Sequence, residues 1–97
     1  MATYVCLIQF TDKGIRNIED TVKRGDAAMA EAEKMGMKIV DELWTMGAYD
    51  GVVTLEAAND ETVSAFILKI GSLGNVKNHT LRAFHRSEME NILAKIK

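Results

Sequence analysis

The hydrophobic pattern along the chain switches between the periods of strands and helices. The first apolar run is nearly continuous, which is typical of a strand covered on both faces. The second and third runs are joined by a short connection and predict a hairpin. The predicted strands span residues 3–10, 37–45, 50–57 and 76–84.

Three helices are predicted between and after these strands. Apolar and small residues recur at helical spacing on one face of residues 20–35. A second helix begins at Asn59 or Asp60, either of which is a suitable N-cap, and it carries a clear amphipathic stripe. A third helix follows Ser87-x-x-Glu90, a pattern typical of a capping box.

The stretch between the first strand and the first helix is less regular. Thr11 to Gly14 are turn residues, and residues 15–20 predict a loop or short turn in which Ile15 and Ile18 are turned inward. Gly25 lies inside the predicted helix, where glycine costs about 1 kcal/mol relative to alanine. Its presence predicts that the helix packs closely on the sheet.

The order of elements predicts the fold class. Strand, helix, strand, strand, helix, strand and a terminal helix indicate an α+β, ferredoxin-like βαββαβ domain with an extra C-terminal helix. Its sheet is antiparallel and carries two helices on one face. We expect residues 1–97 to form one domain of this type, and a domain this small buries a limited core by itself. Self-association is therefore expected.

The face of the sheet away from the helices is predicted to be mixed. It is too apolar for bare solvent and too polar for a dry core, which favours two sheets facing each other around a small polar-lined cavity. A register slip of one residue in the fourth strand would place its other alternating set of side chains on this face. The predicted members are Val5, Leu7, Gln9, Val52, Thr54, Glu56, Thr80, Arg82 and Phe84.

Composition excludes several classes of protein. The 12 basic and 14 acidic residues give a net charge of −2, whereas binding driven by phosphate contacts needs a basic surplus, so we expect no nucleic acid partner. No apolar run approaches the roughly 20 residues that span a membrane. A single cysteine, Cys6, and the absence of a signal peptide predict a cytoplasmic protein. No Cys/His cluster has metal-ligand spacing, and no cofactor motif is expected.

Three separated segments resemble one family. Gly47-Ala48-Tyr49-Asp50 matches the motif that names the GYD domain family, and residues 10–17 and 71–84 resemble the same family in the same order. The resemblance implies a dimeric α+β barrel made of two ferredoxin-like units. The family has no established biochemical role. Its relatives by fold include muconolactone isomerase-like enzymes, cofactor-free monooxygenases and stress-response barrel proteins, and such kinship does not fix a function.

Four residues are candidates for catalysis or ligand binding. Asp50 has the chemistry of a general base and Tyr49 that of a proton donor, although an aspartate at a turn more often accepts backbone amides. Histidine is the side chain that, when unperturbed, titrates near neutrality, so His79 is a further candidate base. Arg82 suits a carboxylate or an enolate if it faces the cavity, and the structural alternative is an ion pair with Glu56.

The remaining candidates are weaker. His85 lies on the same strand as His79, about 20 Å away at ~3.3 Å per residue, so the two are not expected to share a metal ion. Cys6 lies within an apolar strand, where a thiol is usually inert. Trp44 is expected to anchor an interface more often than to stack on a ligand.

Two functions remain open on these observations. The first is a small self-associating barrel with a ligand-binding or protein-interaction role and itself as its principal partner. The alternative is a cofactor-independent isomerase or monooxygenase acting on a small organic acid in the barrel. A third consideration concerns assembly: the strand at residues 37–45 is an edge that pairs outward into rings or filaments unless Lys38, Asp41 and Glu42 block it.

Overall fold

The computed structural model describes the whole chain from Met1 to Lys97. The predicted strands and the two predicted central helices are present, with bounds that differ by one or two residues. A short 3-10 turn precedes the first long helix. The elements are β1 (Ala2–Phe10), α1 (Asp12–Arg16), α2 (Thr21–Lys34), β2 (Lys38–Trp44), β3 (Gly51–Ala57), α3 (Asp60–Ser72), β4 (Val76–Ala83) and α4 (Arg86–Ala94).

The four strands form one antiparallel sheet in the order β2-β3-β1-β4. This order places the first and third strands at the centre, as the split βαβ arrangement requires. Helices α2 and α3 contribute buried side chains to a core on one side of the sheet. The prediction of a ferredoxin-like α+β fold is therefore confirmed.

The strand register decides which side chains share a face. Tyr4 of β1 pairs with Leu55 of β3 and with Arg82 of β4, so these residues lie on the face that the helices cover, the helix face. Leu7 pairs with Val52 and with His79, which lie on the opposite, open face. By the same alternation the open face comprises Thr3, Val5, Leu7, Gln9, Lys38, Asp41, Leu43, Val52, Thr54, Glu56, Lys77, His79, Leu81 and Ala83.

This register corrects the prediction for β4. The prediction placed Thr80 and Arg82 on the open face, whereas Thr80 pairs with Cys6 and both side chains belong to the helix face. His79 and Leu81, which the prediction placed on the helix face, lie on the open face instead. Both alternating sets of β4 mix polar and apolar residues, so hydrophobicity alone did not determine its orientation.

The hydrophobic core lies entirely between the helix face and the helices. Leu55 is fully buried and Cys6 is 2% exposed at the centre of the sheet, and Phe66 of α3 covers them from above. The remaining core residues are Tyr4, Ala32, Met37, Ala57 and Val63. On the open face only Thr3, next to the start of α4, is buried, and Leu81 remains 51% exposed.

The segment after β1 begins with a short helix, α1, that the sequence did not predict. The hydroxyl of Thr11 accepts a hydrogen bond from the amide of Gly14 at 3.1 Å and thereby caps the short helix α1. Ile15 is 53% exposed and Ile18 is 37% exposed, so the prediction that they turn inward is wrong. A five-residue helix is too short to show apolar periodicity, so the hydrophobic pattern along the chain gave no indication of it.

Helix α4 begins two residues earlier than predicted. The amide of His85 donates to Glu88 Oε1 at 3.0 Å, so the cap uses this pair instead of Ser87 and Glu90. The apolar stripe of α4 is largely uncovered, with Leu93 46% exposed. The radius of gyration is 14.6 Å, against about 12.5 Å expected for a chain of this length. The fold is thus more extended than a closed globule.

Candidate functional site

The motif turn between β2 and β3 is tied to the central strand. Gly47 has a φ of +110°, a conformation that favours glycine. Asp50 follows the turn and binds β1 twice: its amide donates to the carbonyl of Ile8 at 2.7 Å, and its Oδ2 accepts from the amide of Phe10 at 2.8 Å. The aspartate of the motif therefore holds the end of β1 against the turn.

The other two motif segments meet at the same end of β1. The Thr11 hydroxyl donates to the carbonyl of Gly74 at 2.5 Å, and the Thr11 amide donates to the carbonyl of Asn75 at 3.1 Å. Gly14 packs against that carbonyl so closely that a Cβ on it would lie 2.0 Å from the Asn75 oxygen. The three segments that resemble the family thus form one joined structure, which we call the motif junction.

A small polar group lies on the open face beside the motif junction. His79 Nε2 is 3.1 Å from Gln9 Oε1, and Gln9 Nε2 donates to the carbonyl of Ala48 at 3.0 Å. The rings of Tyr49 and His79 meet edge to face with 5.8 Å between their centroids. Two of the four predicted site residues are therefore neighbours, on the face that lacks a covering layer.

Arg82 lies at the other end of the sheet and on its helix face. Its guanidinium is 5.7 Å from the centroid of the Tyr4 ring and 4.5 Å from that of Phe84. It also donates to the carbonyls of Thr3 and Ala83 and contacts Glu88 at 3.5 Å. The predicted ion pair with Glu56 is wrong, because Arg82 and Glu56 lie on opposite faces.

The surroundings of Arg82 also include a tyrosine–carboxylate pair. The hydroxyl of Tyr4 donates to Asp60 Oδ1, which fastens β1 to the first turn of α3. This hydrogen bond to a carboxylate raises the pKa of Tyr4 above its ordinary value, with burial as the second cause. Arg82 and Tyr4 therefore stabilise the attachment of α3 and α4 to the sheet.

His85 occupies the start of α4 and not the strand. Its Nε2 lies 3.0 Å from the hydroxyl of Thr3, a residue that is 4% exposed. The prediction that His85 continues the strand of His79 is wrong, because β4 ends at Ala83. The imidazole of His85 contacts the start of β1 and lies far along the sheet from the motif junction.

The pH dependence of α4 docking follows from Glu88. The His85 amide and then the Arg82 guanidinium hold the pKa of Glu88 below its usual value. The Glu88 carboxyl binds a proton more readily in the unfolded chain than in the folded one. Its contribution to the free energy of unfolding is therefore fully present above the ordinary glutamate pKa and is lost as pH falls through the lowered pKa of the folded chain.

We expect Glu88→Gln to flatten the acid limb of a thermal-unfolding pH profile. Glu90→Gln, on the same helix, serves as the control, and equal profiles for both variants would contradict the assignment.

Cys6 is inaccessible and unreactive by its position. Burial raises the pKa of the Cys6 thiol, and the hydroxyl of Thr80 lies 3.9 Å from its sulfur. We expect iodoacetamide to modify the folded chain much more slowly than the urea-unfolded chain, measured by mass spectrometry at neutral pH. Equal rates in the two states would show that the core around Cys6 opens readily.

A cavity of about 470 Å³ lies on the helix face, where the sequence predicted none. It opens between α2, α3 and the sheet and adjoins the motif junction through Phe10 and Asp50. Trp44 is part of its wall, and the indole Nε1 donates to the Thr21 hydroxyl at 3.0 Å. A cavity depends on the spacing between two helices and the sheet, which no local pattern encodes.

The structure contains no group of three or more His, Cys, Asp and Glu side chains arranged to hold a metal ion. None of its helices combines the length and the apolar composition that crossing a bilayer requires.

The sheet order, the helical layer and the motif junction define a small ferredoxin-like α+β protein. The model of the GYD domain matches residues 4–93. The chain belongs to the GYD domain family, and the resemblance of its three motif segments is confirmed.

Known proteins resemble the chain in sequence and in fold. A relative from Thermus thermophilus is 30% identical over 98 residues, covers 100% of both chains, and is named glutamine synthetase and cystathionine beta-lyase binding protein. The crystal structure of TTHA0845 from the same organism has a TM-score of 0.62 at 24% identity, over 88% of this chain and 95% of that chain. FFRP-DM1 has a TM-score of 0.61 at 22% identity, over 87% and 100% of the two chains. These two structures show the fold.

Proposed function

We propose that this GYD domain protein acts by binding other proteins, and that it does so as a homodimer joined through the open face. The observation that carries this proposal is the uncovered apolar centre of that face. Val5, Leu7 and Val52 lie on the two central strands and are only partly covered, and Leu81 beside them is 51% exposed. Contiguous apolar surface of this kind on a soluble protein marks an interaction site.

The polar residues of the open face define its border. His79, Gln9 and Tyr49 lie at the motif-junction end and are already engaged with one another. Polar groups around an apolar centre are the usual arrangement of a protein interface. Two copies related by a twofold axis would bring their apolar centres together and leave these polar groups near the rim.

The edge of the sheet favours a closed assembly over growth into filaments. The pairing of β2 with β3 shifts register between Ile39 and Asp41, so Val40 forms an irregularity on the outer strand. Lys38 and Asp41 add exposed charges to the same edge. Bulges and charges both discourage edge-to-edge pairing, which supports face-to-face dimers instead.

The partner class follows from the relative's name. The Thermus thermophilus protein matches this chain over its full length and is named for binding glutamine synthetase and cystathionine beta-lyase. We infer that this chain binds an enzyme of the same kind. The name supports this inference for the family. The enzyme would contact the outer surface of the dimer, because the second copy covers the apolar centre of the open face.

The enzymatic alternative has less support in the arrangement of the site. Tyr49 and His79 lie together on the open face, Asp50 is engaged with two backbone groups of β1, and Arg82 lies on the helix face at the opposite end. A general base and an anion-binding group must converge on one substrate to act together. These four residues do not converge.

The test uses purified glutamine synthetase and cystathionine β-lyase from the organism that provides the chain. We expect the immobilised, unmodified protein to bind at least one of them saturably in a surface-plasmon-resonance measurement. Val52→Asp on the open face is expected to abolish binding because it separates the two copies of the proposed dimer, and Val22→Asp, at a 57% exposed site on α2, is expected to retain it. Absence of binding to both enzymes would show that the partner assignment is wrong.

A further inference from the structure

The cavity on the helix face has the size and the lining of a ligand site. Its volume of about 470 Å³ falls within the ~300–1,000 Å³ typical of small-molecule pockets. Ile8, Phe10 and Val53 of the sheet form its floor, and Met29 and Ile70 of the two helices form its walls. Such a lining accepts an apolar body of moderate length.

The cavity stays open because small residues of α2 face it. Ala28 leaves space above the sheet that a larger side chain would fill, and Gly25 lets the Glu42 carboxylate approach the helix. Across the top, Lys69 of α3 and Glu31 of α2 form an ion pair at 2.6 Å. This pair links the two helices at a fixed separation and leaves the space beneath it unfilled.

The charged side chains that line the cavity differ in whether they have a hydrogen-bond or ion-pair partner. Lys69 is paired with Glu31, and Arg24 donates to the carbonyls of Asn17 and Gly14 at 2.6 and 3.2 Å. The carboxylate of Glu42 reaches across to Gly25, where a Cβ would lie 2.9 Å from its Oε2, and no group of the protein is hydrogen-bonded or ion-paired to it. Among the charged side chains of the lining, Glu42 is therefore the one that has no hydrogen-bond partner within the protein.

We propose that this cavity binds an unbranched apolar molecule that ends in a primary amine. The apolar chain lies over Ile8, Phe10 and Val53, and the ammonium group pairs with the free carboxylate of Glu42 at the rim. A charge-assisted hydrogen bond of this kind is stronger than one between neutral groups. The site is on the opposite side of the sheet from the open face, so it stands independently of the proposed protein binding.

Trp44 makes the proposal directly measurable. It is the only tryptophan of the chain, it lines the cavity, and it is 46% exposed. Its fluorescence reports entry of a ligand. We would titrate the full-length protein with octylamine, octanol and octanoate, which share one apolar chain and differ in the head group.

We expect octylamine to bind roughly fivefold more tightly than octanol, as a partly exposed ion pair allows, and octanoate to bind most weakly. Glu42→Gln is expected to reduce octylamine binding to the level of octanol and to leave octanol binding unchanged. Ala28→Phe is expected to fill the cavity and abolish all three fluorescence changes. Ala30→Phe, at an exposed site on the same helix, is the control and should retain them.

Several results would overturn the proposal. One is the absence of a saturable change with any of the three compounds in the unmodified protein. Another is octanol or octanoate binding as tightly as octylamine, which would show that Glu42 does not select the head group. A third is unchanged binding in Ala28→Phe, provided that its circular dichroism spectrum and thermal unfolding match those of Ala30→Phe. If Ala28→Phe fails to fold, Glu42→Gln decides alone.

Discussion

Replacing Gly14 by alanine is expected to destabilise the protein by about 3 kcal/mol. The added Cβ would lie 2.0 Å from the carbonyl oxygen of Asn75, and the obstacle is backbone, which cannot rotate away as a side chain can. The substitution must therefore push α1 off the loop that follows α3 and open the motif junction. Urea unfolding followed by circular dichroism measures the change.

Gly71→Ala is the matched control for this experiment. Gly71 lies in α3, and a Cβ there meets nothing within 4 Å. Alanine reduces the freedom of the unfolded chain at such a position, so we expect a gain of up to about 1 kcal/mol. Similar unfolding midpoints for the two variants would contradict the close contact between Gly14 and Asn75 and, with it, the motif junction.

Replacing Leu81 by glutamate is expected to convert the proposed homodimer into a monomer. Leu81 lies on the open face and pairs with Val5 across the sheet. At a face-to-face interface the substitution would bury two carboxylates per dimer without partners, at a cost of several kcal/mol each. Light scattering after size-exclusion chromatography measures the mass, and circular dichroism verifies that the variant folds.

Leu68→Glu introduces the same charge on the other side of the molecule. Leu68 lies on the outer surface of α3 and is 73% exposed. We expect this variant to remain as dimeric as the unmodified chain. If both variants are monomeric, the added net charge is the cause. If neither is monomeric, the interface does not lie on the open face.

The sequence predicted the strands well because their apolar runs are long and bounded by turn residues. It predicted the faces of β1 and β3 for the same reason: Tyr4 and Leu55 lie in strongly apolar alternating sets. The faces of β4 could not be assigned in this way, since Arg82 and His79 belong to sets of similar polarity. Only the pairing of β4 with β1 decides between them.

The candidate site was predicted in part. The motif drew attention to Asp50, and its role as an acceptor of a backbone amide agrees with the structural alternative, although the amide is that of Phe10, forty residues away in sequence. The contact of Tyr49 with His79 and the cavity wall at Trp44 had no signal in the sequence. Both depend on how separate elements approach one another in space.

The start of α4 shows that a local capping pattern gives the wrong helix start when the sequence contains two such patterns two residues apart. Ser87-x-x-Glu90 and His85-x-x-Glu88 share a spacing, and the first has the more favourable capping residue. The second is used because β4 ends at Ala83 and the chain turns at once, with the imidazole of His85 held by Thr3. Tertiary contact thus overrides local preference at this position.

Sedimentation equilibrium of the unmodified chain tests the central claim, that the open face joins two copies into an interaction module. We expect a mass twice that of the single chain that stays unchanged over a wide range of protein concentration. A mass equal to one chain at every concentration would contradict the account, because the open face would then be stable in water without a partner copy.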